Sequence, residues 1–190
     1  MKKAVLISMK PKNVELVLNG YETLEIRKTR PRLETPFKCY IYCTNSGVAM
    51  GMWGKHGKVV GEFVCDKITW LTHIGFSGLP GIRLAAVKSG RTIDASFDFS
   101  ESCLTTPQIE KYLGGKDGYV WHISDLKIYD QPKELNEFWF PPELYCEKER
   151  CGGCQYDQVA DVNGEYSFDC EWKRPLTRPP QSWCYVEELK

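Results

Sequence analysis

The chain has 190 residues, 42% hydrophobic and 26% charged, enough apolar material for one compact domain and too much for a disordered segment. Its sixteen glycines and eleven prolines lie near average usage, which excludes a collagenous or linker-dominated chain. No apolar run reaches the ~18–20 residues that cross a bilayer, and the opening MKKAVLISMKPK lacks the apolar length and small-residue cleavage site of a secretory signal, so a soluble cytoplasmic protein with no membrane partner is expected.

Formal charge is zero but unevenly placed. Residues 1–38 hold nine Lys/Arg against four Asp/Glu, residues 39–129 nine against eight, and residues 130–190 seven against thirteen. A basic front fits an anionic ligand such as nucleic acid, and it also fits surface charge that has segregated without a function.

In chain order, residues 4–9 form a short apolar run that reads as a buried strand. Lys10-Pro11 then opens a helix, because proline at the first helical position gives up an N–H that would be unpaired anyway. Val14, Val17 and Leu18 recur at the spacing of one helix face, and Gly20 is placed to end it. Over residues 22–28 the period falls to two, with Leu24 and Ile26 on one side and Thr23, Glu25 and Arg27 on the other, which predicts a half-buried strand presenting a carboxylate and a guanidinium side by side. Residues 37–43 and 58–66 read as further strands around the glycine-rich turn 47–57. Thr105 and Thr106 before Pro107 start a second helix, with Gln108 as capping-box partner and Gly114 as the stop. Residues 118–129 and 182–188 complete a set of about six strands. The pattern predicts a single α+β domain over residues 1–190, a curved sheet or small β-barrel with flanking helices. Residues 67–104 and 131–181 fit no simple period and stand as insertions, each expected to carry local structure or a function.

Nine cysteines is an odd number, so they cannot all pair within one chain. Four of them, Cys146, Cys151, Cys154 and Cys170, crowd into the second insertion as C-x4-C-x2-C-x15-C. Gly152 and Gly153 let the two close thiolates turn onto one ion, and four soft ligands suit a tetrahedral Zn²⁺ of the structural kind, with no position left for water. Free thiols, or an oxidised Cys151–Cys154 pair, are the competing reading. Cys39, Cys43, Cys65, Cys103 and Cys184 read mostly as small buried hydrophobes.

Known catalytic strings are absent: there is no HExxH and no GxSxG, and Gly54-Lys55 lacks the surroundings of a phosphate loop. His56, His73 and His122 are not spaced as a metal set. What remains is GYETLEIRKTRPR at 20–32. There Arg27 offers a planar fork for phosphate or a base edge, Glu25 orients it, Lys10, Lys28, Arg30 and Arg32 add positive charge, and Trp121 offers a stacking face. On the competing reading Glu25 and Arg27 are a surface ion pair and Trp121 is core.

Gly20, Glu25 and Arg27 in G-x-x-x-x-E-x-R, after a Lys-Pro-led helix, resemble the signature of the ASCH domain, a branch of the PUA-like superfamily. The resemblance covers residues 1–66 and 105–130 and the closing strand. With the TRPPQSWCYVEE ending at 177–188, it is similar to the phage and prophage type from Gram-positive bacteria. It implies a small β-barrel with a cleft that binds RNA or a modified nucleotide. One branch of that family hydrolyses N4-acetylcytidine with a lysine and a threonine, and those positions are Glu22 and Glu25 here. A carboxylate cannot replace the hydroxyl nucleophile. The resemblance therefore implies a binding module. The alternatives are an RNA-processing hydrolase, or a module acting on a host protein through the aromatic segment 138–142.

Overall fold

The computed structural model describes residues 2–47, 51, 54–75, 82–87, 93, 94, 96–141 and 174–189. Within them the elements run β1 (Lys3–Met9), α1 (Pro11–Leu18), β2 (Leu24–Arg27), β3 (Phe37–Cys43), β4 (Lys58–Gly75), β5 (Ile82–Val87), β6 (Ile93–Asp94), α2 (Thr106–Leu113), β7 (Gly118–Lys133) and β8 (Trp183–Glu187). The strands form one mixed sheet in the order β2-β7-β4-β3-β1-β8, with β5 and then β6 added along β4. Among the described strands only β1 and β3 pair in parallel, from Val5↔Cys39 to Met9↔Cys43.

The local signals behave as their chemistry predicts. Pro11 sits in the first turn of α1, and Gly20 follows the helix at φ 74°, a left-handed conformation that glycine adopts without a Cβ penalty. At α2 the Gln108 Oε1 accepts from the Thr105 N–H at 2.8 Å and from its hydroxyl at 2.9 Å, and Gly114 closes the helix at φ 66°. Each helix is short, so its stability comes from the face it buries rather than from propensity. Val14 and Val17 of α1 pack with Val5, Ile7, Cys39, Ile41, Phe63 and Trp121. Ile109 and Leu113 of α2 pack with Leu24, Ile26, Leu71 and Val120 on the opposite face of β2 and β7. A third cluster joins Leu6, Tyr40, Tyr42 and Val186 to Phe138 and Leu176. Burying each of these large side chains is worth about 1.5–3 kcal/mol.

Four expectations need correction. The sheet does not close into a hydrogen-bonded barrel: among the described strands β2 pairs only with β7, and β8 only with β1. The residues of β2 are buried on both faces, not one, because α2 covers the Leu24/Ile26 side while the curved sheet folds over the Glu25/Arg27 side. The strands among the described residues number more than the expected six, because residues 67–104 carry the end of β4 together with β5 and β6. β4 runs on through Asp66 to Gly75, with register shifts against β7 between Cys65 and Lys67 that absorb the break in pattern, and then pairs with β5. The segment that begins Phe138-Trp139 is not an exposed contact surface either, since Phe138 is fully buried 4.9 Å from the Tyr40 ring and the Glu187 N–H donates to the Trp139 carbonyl. As expected, Cys39, Cys43 and Cys65 are buried, whereas Cys103 is exposed. Cys146, Cys151, Cys154 and Cys170 lie outside the described residues.

Among the described residues no helix is long and apolar enough to cross a membrane.

Candidate functional site

The two ends of the sheet, β2 and β8, approach each other across a seam, and the motif residues sit in it. Glu25 lies opposite Trp121 and Arg27 opposite Tyr119 in the β2–β7 ladder, so their side chains share the inner face of the sheet with the Trp121 ring. The Arg27 guanidinium spans the gap. Its Nη2 donates to the Ser8 carbonyl at 2.8 Å, at the end of β1, and its Nη1 donates to the Ser182 hydroxyl at 3.2 Å, just before β8. Its Nε lies 2.7 Å from Glu25 Oε1, a charge-to-charge contact inside a nearly dry pocket. Only a planar fork with donors on three nitrogens can hold a carboxylate on one side and two strands on the other.

Glu22, two residues upstream of β2, completes the cluster and is only 2% exposed. Burial pushes its carboxyl up to about 10, the Glu25 charge and their shared hydrogen bond add to the shift, and Arg27 pulls the other way. Glu22 therefore keeps its proton at pH 7, beside Glu25. The Ser8 hydroxyl and Trp121 Nε1 are buried with no hydrogen-bond partner among the described residues. Native interiors hold few such groups, and two of them beside one guanidinium mark a polar centre rather than ordinary core.

Outside the seam, segment 28–36 runs along β8. The Trp183 Nε1 donates to the Thr29 hydroxyl at 3.0 Å, and the Arg32 N–H donates to the Tyr185 hydroxyl at 2.7 Å. The segment is exposed at Lys28, Thr29, Arg30 and Arg32. It brings Lys28 over the Tyr112 ring at 5.0 Å and Arg30 over Tyr119 at 6.0 Å. Tyr112, on α2, is 39% exposed, and burial raises its hydroxyl, with Arg27 lowering it and Glu25 raising it. Lys10, two residues beyond Ser8 and exposed, stands at the same end of β1. Lys28 with Tyr112 and Arg30 with Tyr119 thus make two basic and aromatic contacts just beyond Arg27 in the chain.

The expected site is thus split by depth. Lys10, Lys28, Arg30 and Arg32 are at the surface as anticipated. Glu25 and Arg27 are 5% and 7% exposed, so they do not project into an open hollow. Trp121 is fully buried, edge-on to Phe37 at 5.9 Å and tilted against Trp183 at 5.9 Å, and it has no free face for a base. His122 is half-buried and paired with the Thr69 hydroxyl at 2.9 Å, and burial and Lys67 lower its pKa. Sequence reading overlooked Ser8, Ser182, Tyr112, Tyr119 and Trp183. The single available signal was the alternation of aromatics in Trp183-Cys184-Tyr185, which sends two rings to one side of β8.

No protein-family model matches the sequence, and no curated protein matches it significantly. Solved structures do resemble it. The ASCH protein of Zymomonas mobilis is 18% identical, with a TM-score of 0.49 over 70% of this chain and 75% of that one. A serine-to-alanine variant of that protein is 16% identical, with a TM-score of 0.51 over 97% of this chain and 89% of the other. The likeness in the second comparison is one of fold alone: this chain shares with that ASCH structure a mixed α+β architecture of one sheet and two helices. Nothing in these neighbours speaks for a phage origin.

Two consequences can be measured. Arg27→Ala leaves Glu25 buried without its counter-ion and frees the Ser8 and Ser182 contacts, so a urea titration is expected to show a loss of about 3–5 kcal/mol; Arg27→Lys, which lacks the fork, does not restore it. The Glu22 proton gives the second. The folded chain holds it well above pH 4.5, the ordinary value at which the unfolded chain releases it. Its contribution to stability is therefore complete below about pH 4.5 and declines as pH rises towards about 10, by at most about 1.4 kcal/mol per unit. Urea midpoints between pH 5 and pH 8.5 should fall in the wild type and fall less in Glu22→Gln; equal slopes would refute the assignment.

Proposed function

We propose that this protein is an RNA-binding module of the ASCH/PUA-like kind, taking single-stranded RNA or a nucleotide on the strip formed by Lys10, Lys28, Arg30, Tyr112 and Tyr119. The observation that carries the reading is the stacking of two exposed cations on two tyrosines beside the closed seam. Cations supply phosphate attraction and rings supply sequence-tolerant contact with bases, the combination that single-stranded nucleic acids require. Glu25 and Arg27 act here as positioning residues: they hold β2 against β1 and β8 and so fix where segment 28–36 runs.

The hydrolase alternative draws less support. The Glu22–Glu25 pair has the proton inventory of an acid and a base, but both carboxyls are sealed, and the hydroxyl nucleophile of the acetylcytidine scheme has no counterpart at Glu25. A role in binding a host protein through the aromatic segment 138–142 has less to draw on, since Phe138 is fully buried.

The structural zinc is part of the same proposal. Cys146, Cys151, Cys154 and Cys170 have the number, softness and spacing for one tetrahedral ion, which would tie the chain together within the 131–181 insertion.

In fluorescence anisotropy with a labelled oligoribonucleotide, Lys28→Ala/Arg30→Ala is expected to weaken binding and to lower the slope of log affinity against log salt by about 1.4, the share of two phosphates on a single strand, with no change in the urea midpoint comparable to that of Arg27→Ala. Unchanged affinity and slope would overturn the assignment of the strip. For the zinc, protein purified without chelator should carry one Zn²⁺ per chain by elemental analysis; no metal together with four additional titratable thiols would refute it.

A further inference from the structure

One face of the sheet passes from core to solvent within a single step of β4 and β7. In their ladder Ile68 lies opposite Trp121 and, two residues on, Trp70 lies opposite Tyr119. Arg27 faces Tyr119 from β2. Residues two apart on a strand share a face, and directly opposed residues stand about 4.5–5.5 Å apart at Cβ. Leu71 and Val120 point the other way, into the cluster that α2 covers. The Ile68–Trp121 rung is core, since Trp121 is fully buried and Ile68 packs against its cluster. On the next rung Tyr119 is half-buried and Trp70 is 41% exposed. Two aromatic side chains therefore stand side by side where this face meets water.

The Trp70 ring is held in place. Its Nε1 donates to Asp117 Oδ2 at 3.1 Å, and the Thr72 hydroxyl donates to Asp117 Oδ1 at 3.0 Å, so a carboxylate just before β7 fixes the indole edge. With its one donor occupied, the indole has only apolar and π surface to offer a ligand. Charge is placed unequally about the rung. Arg30 lies over the Tyr119 ring at 6.0 Å, is exposed, and pairs with no carboxylate among the described residues, whereas Asp117 stands beside Trp70. A ligand with a flat apolar part and an anionic part fits this order, the flat part on the rings and the anion on the Arg30 side. We propose, on the basis of the RNA-binding reading, that Trp70 and Tyr119 form a base-stacking platform, with a base laid on Trp70 and its adjoining phosphate at Arg30, away from Asp117. The strand that meets Lys28 and Arg30 thereby continues onto the β4–β7 face of the sheet. Stacking of this kind accepts any base, because every base has a π-face.

The test compares, by fluorescence anisotropy on the full chain, a labelled octaribonucleotide with an abasic octamer of the same ribose-phosphate backbone. Trp70→Ala should weaken the octaribonucleotide about 5- to 140-fold, the range of one stacked base. The slope of log affinity against log salt should stay the same, because no phosphate contact is lost, and the abasic octamer should be unaffected. Trp70→Tyr, which keeps a ring, should recover most of the affinity and separates a lost stack from a folding defect. Unchanged affinity in Trp70→Ala, while Lys28→Ala/Arg30→Ala still weakens binding, overturns the platform and leaves the strip standing. Equal loss on both octamers also overturns it, since the ring would then touch no base. A dimer in sedimentation that Trp70→Ala dissociates, with RNA affinity intact, gives the face to a second copy of this chain and overturns it as well. Failure of the wild type to bind either octamer removes the underlying reading along with the platform.

Discussion

A sheet that curves far enough to bring its first and last strands together must either join them by backbone hydrogen bonds or satisfy the two edges some other way. Here the seam between β2 and β8 is bridged by side chains, and one guanidinium carries the largest part. Arg27 reaches Ser8 at the end of β1, Ser182 at the start of β8 and Glu25 on its own strand. Its charge is tolerable in a nearly dry interior because Glu25 neutralises it, and Glu25 in turn is steadied by the proton that Glu22 keeps. Two contacts of segment 28–36, at Thr29 and Arg32, extend the closure along β8.

This arrangement links stability to the surface above it. Segment 28–36 leaves β2 at Arg27, so the geometry that satisfies the buried charge also decides where Lys28 and Arg30 emerge and which rings they meet. A ladder of backbone hydrogen bonds would have joined the edges with less desolvation cost, but it would have placed a strand where the basic segment now lies. The buried ion pair is then best understood as specifying one closure rather than as a large net source of stability, in keeping with how such pairs behave when weighed against apolar replacements.

The elements were readable because their signals are local. Pro11, Gly20, the Thr105–Gln108 cap and Gly114 act within one or two turns of chain, and the alternation in β2 correctly sends Glu25 and Arg27 to the face opposite Leu24 and Ile26. The extent of β4 was not readable, since Asp66 interrupts the pattern and only the register shift against β7 shows that the strand survives it. The six-strand estimate fell short for the same reason: β5 and β6 exist as strands by virtue of pairing with the distal half of β4.

The candidate site divides along the same line. From the sequence alone came the candidate residues, the carboxylate and guanidinium two apart and the cations around them, because residue type and spacing are properties of the chain. Their depth came from the fold. Alternation reports which side of a strand a group occupies and is silent on whether a second layer covers that side, so Arg27 and Trp121, read as exposed recognition groups, lie beneath Trp183 and segment 28–36. Burial depends on contacts between residues as far apart as Arg27 and Ser182, and no local pattern encodes a meeting across that separation.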